Sequence, residues 1–258
     1  MLPAFVASTS LPSPADVPAG FLRHHLLWPL IAALIASAVL MGGNGDQWVA
    51  DQLYRLQGGH WALQHAWTTS ALIHKGGKWL STAAALLAMV LYMHAGRRPH
   101  LRAWRWPLLY VVLAVALSTG AVSWLKSLTQ MDCPWDLTRY GGTREFIGLF
   151  SARPVGMPKA ACFPAGHASA GYAWVCLYFL ALMVRPQWRW QGLAAGLLAG
   201  AVFGLSQQLR GAHFLSHDVW TLVVCWSVSV LVYRAGHRRA EPGATGAGGA
   251  PRPSALAE

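Results

Sequence analysis

Three short clusters of polar residues interrupt a chain that is 55% hydrophobic. They cover residues 126–135, 163–167 and 210–218, and each stands at one end of an apolar segment. An ionisable group beside hydrocarbon costs about 2.5–3.5 kcal/mol on insertion scales, so such groups usually serve function. The clusters contain lysine, arginine and histidine, which bind phosphate oxygens and transfer protons. We therefore predict a single site for a phosphorylated ligand.

The first two clusters supply candidate phosphate ligands and a candidate proton donor. Lys126 ends an apolar segment, and we interpret it as an anion ligand; a lysine that only snorkels to the interface is the alternative. In the second cluster, Gly166 lets the backbone approach a ligand closely, and the free N–H groups of a helix start favour phosphate. His167 stands beside them as the candidate proton donor, with a helix-capping or interface histidine as the alternative.

The third cluster contains a cation and a pair of histidines. Arg210 is a permanent cation with several donors for phosphate oxygens. His213 and His217 are four positions apart, so on a helix they share one face. A nucleophilic histidine needs a partner that fixes its tautomer, and either His217 or Asp218 could supply it. Metal binding by the two histidines is the alternative, but no third ligand stands at suitable spacing, so we expect no metal and no cofactor.

Composition indicates a polytopic membrane protein with one domain. The chain has 258 residues, of which 11% are charged, and its mean hydropathy is +0.36. The net charge of +11 is spread over the connections between apolar segments, which argues against a nucleic-acid partner. We expect an N-terminal cytoplasmic segment at 1–22, a membrane domain at 23–235 and a disordered cytoplasmic tail at 236–258.

The predicted fold class is all-α, a bundle of six transmembrane helices. A helix of about 20 apolar residues crosses about 30 Å of hydrocarbon. The predicted spans are His25–Met41, Lys78–Ala95, Pro107–Leu125, His167–Val184, Gln191–Leu209 and Phe214–Tyr233. Between the first two spans, the stretch 49–61 is predicted to lie in the interface. Small residues at every fourth position of the fifth span predict close helix packing.

The basic residues predict the orientation of this bundle. Arginines concentrate in alternate connections, as at 97–105 and 185–189, which makes that side cytoplasmic and places both termini there. The three polar clusters then share the opposite side. We expect a bacterial inner-membrane protein whose site faces the periplasm.

The first two clusters resemble motifs of the type 2 phosphatidic acid phosphatase and vanadium haloperoxidase superfamily. Its signature runs Lys-x6-Arg-Pro, then Pro-Ser-Gly-His, then Ser-Arg-x5-His-x3-Asp. Lys126 and Pro134 match the first motif, and Cys133 takes its arginine position. Gly166 and His167 match the second motif together with the proline at 164, while alanine replaces serine at 165.

The third cluster resembles the last motif with displaced residues. His213 falls on the nucleophilic histidine of the family. Gln207 stands where an arginine is expected, and Arg210 lies one helical turn closer to the histidine. His217 stands where an aspartate is expected, and Asp218 follows it.

The resemblance implies a membrane lipid phosphatase. It would hydrolyse a phosphomonoester or pyrophosphate of a lipid through a phosphohistidine on His213, with His167 as proton donor. The expected phosphate ligands are Lys126, Arg210, the backbone of Ala165 and Gly166, and Arg139, with Arg144 and Arg153 as alternatives to Arg139. Phosphatidate, phosphatidylglycerophosphate, undecaprenyl pyrophosphate and lipid A phosphates are plausible substrates. A lipid phosphotransferase and a catalytically weak lipid-binding protein are the other hypotheses; the oligomeric state is left open.

Cysteine placement predicts one disulfide. Cys133 and Cys162 both lie in the connection expected to face the periplasm, where thiols tend to be oxidised. A bond between them would join the end of the third apolar segment to the start of the fourth. Cys176 and Cys225 lie inside apolar segments and are expected to serve packing.

Overall fold

The computed structural model describes residues 20–149 and 151–239. Within these ranges the chain is helical and has no β-strand, apart from one isolated bridge between Leu137 and Arg144. The all-α fold class is therefore confirmed for this part of the chain. The predicted N-terminal segment up to residue 19 and the predicted tail from residue 240 onwards lie outside the described residues.

Helices that we name α1 to α7 make up the described bundle. Most are apolar along their length. Short turns or 3-10 segments join several of them, and a long connection at 130–168 joins α4 to α5. Their bounds are α1 Arg23–Gly42, α2 Gly45–Leu56, α3 Thr68–Arg97, α4 Arg105–Thr129, α5 Ser169–Val184, α6 Arg189–Leu209 and α7 Leu215–Arg239. The α2 helix overlaps the stretch that is predicted to lie in the interface.

Five of the described helices, α1, α3, α4, α6 and α7, are long and apolar enough to cross a membrane. The predicted span at 167–184 forms the apolar helix α5, which is shorter than these. Residues 166–168 form a turn before α5, and Arg185 leaves helical geometry directly before Pro186. At 1.5 Å per residue, α5 rises less than the roughly 30 Å of hydrocarbon. A bundle of six crossings therefore stays a prediction.

The glycines of α6 bring its backbone against α5. A Cβ atom on Gly192 would lie 2.6 Å from the Leu177 carbonyl oxygen, and one on Gly196 would lie 2.5 Å from the Trp174 carbonyl carbon. Side chains at these positions would push the helices apart. The close packing predicted from the small residues therefore forms inside the chain, between α5 and α6.

Two apolar clusters hold the bundle together. The larger one joins α4, α5 and α7 through fully buried side chains such as Tyr110, Phe179 and Val230. The smaller one contains Ala50, Trp61, Leu137, Tyr140 and Phe214, and it packs α2 and the long connection against the start of α7. Through Trp61, which lies against Gly211, this cluster contacts the turn between α6 and α7, where the third polar cluster stands.

Candidate active site

His213 and His217 form a buried pair at the start of α7. Gly211 adopts a φ of +73° in the turn before them, where a side chain would be strained and would also meet the Trp61 ring. His213 is 4% exposed and His217 is fully buried. Their Nδ1 atoms are 3.4 Å apart, so one ring donates a hydrogen bond and the other accepts it. The predicted pairing of these two histidines is present in the structure.

Burial and the contact with His217 define the chemical form of the His213 ring. Its Nδ1 atom faces His217, and burial lowers the pKa of His213 well below its usual value. The positive charges of His217, Lys126 and His167 lower that pKa further. A neutral imidazole with a lone pair on Nε2 is the form that a nucleophile needs.

His167 lies in the turn before α5, against a histidine of α3. The ring centroids of His167 and His74 are 3.7 Å apart, and the His167 Nδ1 atom is buried without a hydrogen-bond partner among the described residues. Ser169 fixes the turn by donating a 2.6 Å hydrogen bond to the Gly166 carbonyl oxygen. Burial, with the positive charges of His74 and Lys126 next, lowers the pKa of His167 to about 3. The ring is therefore neutral at physiological pH until an anion approaches.

Lys126 reaches from the end of α4 to the same turn. A Cβ atom on Gly166 would lie 3.4 Å from the Lys126 Nζ atom, so the ammonium group lies close to the backbone of the turn. A Cβ atom at this position would only make ordinary van der Waals contact with the lysine side chain. The backbone N–H of Ala165, which was expected to bind phosphate, donates a 3.3 Å hydrogen bond to the His217 carbonyl oxygen. Phosphate binding by Lys126 and Gly166 stays a prediction.

Arg210 is held next to the site by two hydrogen bonds. Its Nε atom donates to the Gln64 carbonyl oxygen at 2.8 Å, and its Nη1 atom donates to Gln207 Oε1 at 3.2 Å. Gln207 is 2% exposed and stands where the family motif has an arginine. The charge of Arg210 contributes to the lowered pKa of His167, so the guanidinium group acts on the site electrostatically.

Asp218 points away from the histidine pair. It accepts a 2.5 Å hydrogen bond from Gln208 Nε2 and packs against Gly204 of α6. The ring in contact with His213 is that of His217, while Asp218 is bound to Gln208. His213 lies two residues before α7, so this contact depends on the turn at Gly211 as well as on the helix. The role of His217 in orienting His213 stays a prediction.

Asp46 of α2 is a buried carboxylate that the sequence analysis did not identify. It accepts hydrogen bonds from the backbone N–H of Ser216 at 2.9 Å and from the Ser216 hydroxyl at 2.5 Å. These contacts satisfy a free donor at the start of α7, beside His217. Burial raises the pKa of Asp46, and the bonds from Ser216 offset part of this increase. Its position was not predictable because 170 residues separate the partners.

The three arginines considered as substitutes for the lost motif arginine are engaged elsewhere. Arg139 donates two hydrogen bonds of 2.8 and 2.6 Å to Asp51 of α2, and its side chain is 56% exposed. Arg144 and Arg153 both bind Asp132, at 2.6 and 2.9 Å. The expectation that Arg139 binds phosphate therefore has no support in the structure, because a carboxylate already neutralises it.

A disulfide joins Cys133 to Cys162, the pair predicted from the sequence, with 5.4 Å between their Cα atoms. The Cys162 N–H also donates a 3.1 Å hydrogen bond to the Met131 carbonyl oxygen, and the Thr129 hydroxyl donates one to the Phe163 carbonyl oxygen. The end of α4, which holds Lys126, is thereby tied to the turn that holds His167.

A cavity of about 560 Å³ connects this site with the apolar interior between α3 and α4. We call one part of its wall the polar end and another part the apolar end. The polar end contains His74, Lys78, Lys126, Gly166, His167 and Gln207, and the apolar end contains Ala85, Leu86, Met89, Val112, Val115 and Ala116. No acidic residue is among those that line the cavity in the described ranges. His213 is not among the residues that line the cavity, and it is almost fully buried.

His74 and Lys78 lie at the polar end but were not predicted as site residues. The predicted second span begins at Lys78 and leaves His74 outside it, whereas α3 begins at Thr68. The available signal was the spacing of four between His74 and Lys78, which continues into the apolar positions of the same helix.

Taken together, the apolar helices, the histidine pair and the cation-lined cavity define a membrane-embedded protein that handles phosphate groups. The PAP2 superfamily matches residues 107–241, which is more than half of the chain, and the chain belongs to this superfamily. Membership indicates phosphatase-type activity on phosphate esters. Comparisons with curated proteins and with solved structures gave no match. Within the described residues, no group of three or more His, Cys, Asp or Glu could hold a metal ion.

Proposed function

We propose that this protein is a membrane lipid phosphatase that transfers a phosphoryl group to His213 and then to water. The observation that carries the proposal is the cavity, because it has a cationic polar end and an apolar end in one continuous space. The helix positions from Lys126 to Val112 correspond to a rise of about 20 Å at 1.5 Å per residue. A phosphorylated headgroup and the first part of its hydrocarbon chain fit such a space, whereas a small soluble phosphate ester leaves the apolar end unused.

In the first step, the Nε2 atom of His213 attacks phosphorus and forms an N–P bond as the bond from phosphorus to the leaving oxygen breaks. His217 accepts a hydrogen bond from the His213 Nδ1–H and stabilises the positive charge that develops on the ring. His167 donates a proton to the leaving oxygen. Its low pKa fits this role once an anion is bound, because the negative charge of the phosphate raises that pKa and lets the ring hold a proton.

In the second step, His167 accepts a proton from water, and the water oxygen attacks the phosphohistidine. The N–P bond breaks, its electron pair returns to the His213 ring, and inorganic phosphate leaves. Lys126 and the backbone N–H groups near Gly166 stabilise the charge on the phosphoryl oxygens in both steps. Arg210 adds a fixed positive charge behind Gln207.

The polar end belongs, in this proposal, to the periplasmic face of a bacterial inner membrane. His74 lies near the start of α3, and the arginines at 97–105 follow its other end. Basic connections stay in the cytoplasm, which puts the polar end on the opposite side and both termini inside. A lipid can then reach the cavity without leaving the bilayer.

The experiment that tests the proposal is phosphate release by the purified protein in detergent, from a panel of lipid phosphates and lipid pyrophosphates. The variant His213→Ala should lose the activity by at least about 10³-fold, as removal of a nucleophile does elsewhere. His100→Gln is the matched control, since this histidine is exposed and lies in the arginine-rich connection. Trapping of an acid-labile phosphoryl group on wild type but not on His213→Ala would establish the intermediate.

Three outcomes would change the proposal. Release of phosphate that persists in His213→Ala would remove the histidine mechanism. No release by folded wild type, with transfer of the phosphoryl group to an added lipid acceptor, would identify a phosphotransferase. Neither release nor transfer would leave a lipid-binding protein.

A further inference from the structure

The polar end of the cavity contains two lysines. Lys126 lies beside the turn that holds Gly166 and His167, where the proposed function places the phosphoryl group. Lys78 adds a second lysine to the same wall, and within the described residues neither lysine has a carboxylate partner. A lysine within a membrane-spanning helix is costly and indicates a functional role.

The register of α3 orders these groups along the cavity. Positions 74, 78, 81, 85 and 89 all line it, and their spacing of three or four puts them on one face of the helix. His74 contacts His167, Lys78 follows about 6 Å further along the axis, and the apolar end begins at Ala85. Lys78 therefore stands between the catalytic histidine and the region that would hold a hydrocarbon chain.

Hydrogen bonds fix this register against α5. The Ser81 hydroxyl donates a 2.7 Å bond to the Ala170 carbonyl oxygen and accepts a 2.9 Å bond from Trp174 Nε1. Since α5 begins two residues after His167, these bonds hold His74 and Lys78 at a defined distance from the proton donor. The α3 wall is thus a fixed part of the site.

We propose that His74 and Lys78 form a second phosphate subsite, which makes the protein selective for lipid diphosphates over lipid monophosphates. The inference rests on the proposed function. The terminal phosphoryl group would occupy the position beside Lys126, and the inner phosphate would contact Lys78 and His74. On cleavage the terminal P–O bond breaks, His213 takes the phosphoryl group, and a lipid monophosphate leaves with its oxygen protonated by His167. A lipid monophosphate would place hydrocarbon, instead of an anion, beside Lys78.

The experiment compares farnesyl diphosphate with farnesyl monophosphate, two probes that share one chain, on the full-length protein in detergent. The variant Lys78→Gln should lower the ratio of the two kcat/KM values, diphosphate over monophosphate, by about 10- to 100-fold, the value of a hydrogen bond to a charged group. Lys78→Arg should restore most of the ratio. His74→Phe keeps a ring against His167 and should lower the ratio as well.

Lys75→Gln is the matched control, because it removes the same charge from the same helix at a position outside the cavity wall. It should change the ratio by less than about twofold, as surface substitutions do. Inorganic pyrophosphate should inhibit wild type at lower concentration than inorganic phosphate, and Lys78→Gln should abolish this difference.

The outcomes separate this inference from the proposed function. An active wild type whose ratio is the same in Lys78→Gln, or falls equally in Lys75→Gln, overturns the second subsite and leaves the phosphatase intact. A folded wild type that releases phosphate from neither probe nor from the wider panel overturns both. A ratio that falls in Lys78→Gln and in His74→Phe, but not in Lys75→Gln, establishes the subsite.

Discussion

The basic residues of the long connection and those of the cavity differ in what neutralises them. Arg144 and Arg153 both bind Asp132, whose side chain is 2% exposed, and Arg139 binds Asp51. Lys78 and Lys126 line the cavity, where the described residues offer no carboxylate. The arginines therefore serve the structure of the connection, whereas the two lysines have no acidic partner among the described residues and remain for a negatively charged ligand.

This difference explains which substitutions should affect activity and which should affect stability. An ion pair within the chain affects stability, because removing one member leaves the other charge without a partner and destabilises the folded state. A cation beside hydrocarbon without such a partner costs folding energy and contributes only when a ligand is bound. Each prediction below tests one side of this difference.

The largest effect is expected for Lys126→Met. The substitution keeps the length of the side chain and removes the charge that we propose contacts the phosphoryl group, so kcat/KM should fall by about 10²–10³-fold. The thermal midpoint should stay the same or rise, because an unpaired cation is gone. Kinetics and thermal unfolding in the same detergent measure both effects. Lys159→Met, in the exposed part of the connection, is the control and should change neither quantity. A large fall in the thermal midpoint or in kcat/KM of this variant would contradict the comparison.

A smaller effect, on stability instead of activity, is expected for Asp132→Asn. It leaves Arg144 and Arg153 without their shared carboxylate and should lower the free energy of unfolding by about 2–3 kcal/mol, somewhat less than for fully buried pairs because both arginines retain contact with water. Asp136→Asn should cost under about 1 kcal/mol, since this carboxylate is 3.6 Å from Arg144 and partly exposed. Equal losses in the two variants would show that Asp132 has no special role.

Anion binding should be coupled to uptake of a proton by His167. Burial and the neighbouring cations lower its pKa to about 3, so the ring is neutral near neutral pH without an anion. A bound anion raises this pKa, and the occupied protein then holds more protons than the free protein. Calorimetric titration with sulfate, in buffers of different ionisation enthalpy, should detect an uptake of up to about one proton. His167→Gln should reduce it and His100→Gln should not; uptake that is unchanged in His167→Gln would assign the proton to another group.

The smallest effect is expected for Arg139→Gln. Its ion pair with Asp51 is exposed, so the free energy of unfolding should fall by less than about 1 kcal/mol, with kcat/KM nearly unchanged. Denaturant unfolding and the phosphate-release assay measure these values. A fall in kcat/KM beyond about tenfold would show that Arg139 takes part in phosphate binding. It would contradict the difference between the arginines of the connection and the lysines of the cavity.

Sequence patterns predicted the parts of the molecule that depend on local spacing. Hydrophobic length predicted spans that overlap the five long apolar helices. The motifs selected Lys126, His167 and His213, whose roles stay predictions. Helical rotation could not decide between His217 and Asp218, because His213 precedes the first residue of α7. The short α5 was less predictable, because the turn at Gly166 and the break before Pro186 shorten an otherwise apolar segment.

Contacts between distant parts of the chain were not predictable in this way. The pairing of Arg139 with Asp51 spans 88 positions, and that of Asp46 with Ser216 spans 170. An arginine in a polar loop meets several candidate carboxylates, and spacing along the chain does not select one of them. His74 was missed for the same reason, because its contact with His167 depends on how α3 packs against α5.

The match to the PAP2 superfamily begins at residue 107, after α3 has ended. The proposed reacting residues therefore lie within the matched stretch, whereas the α3 wall of the cavity lies before it in the sequence. A library of variants confined to the cavity-facing positions of α3 could alter which lipid is accepted while every reacting atom stays in place. Lipid selectivity and reactivity would thus be separable in this protein, and redesign of its selectivity should begin at the cavity-facing positions of α3.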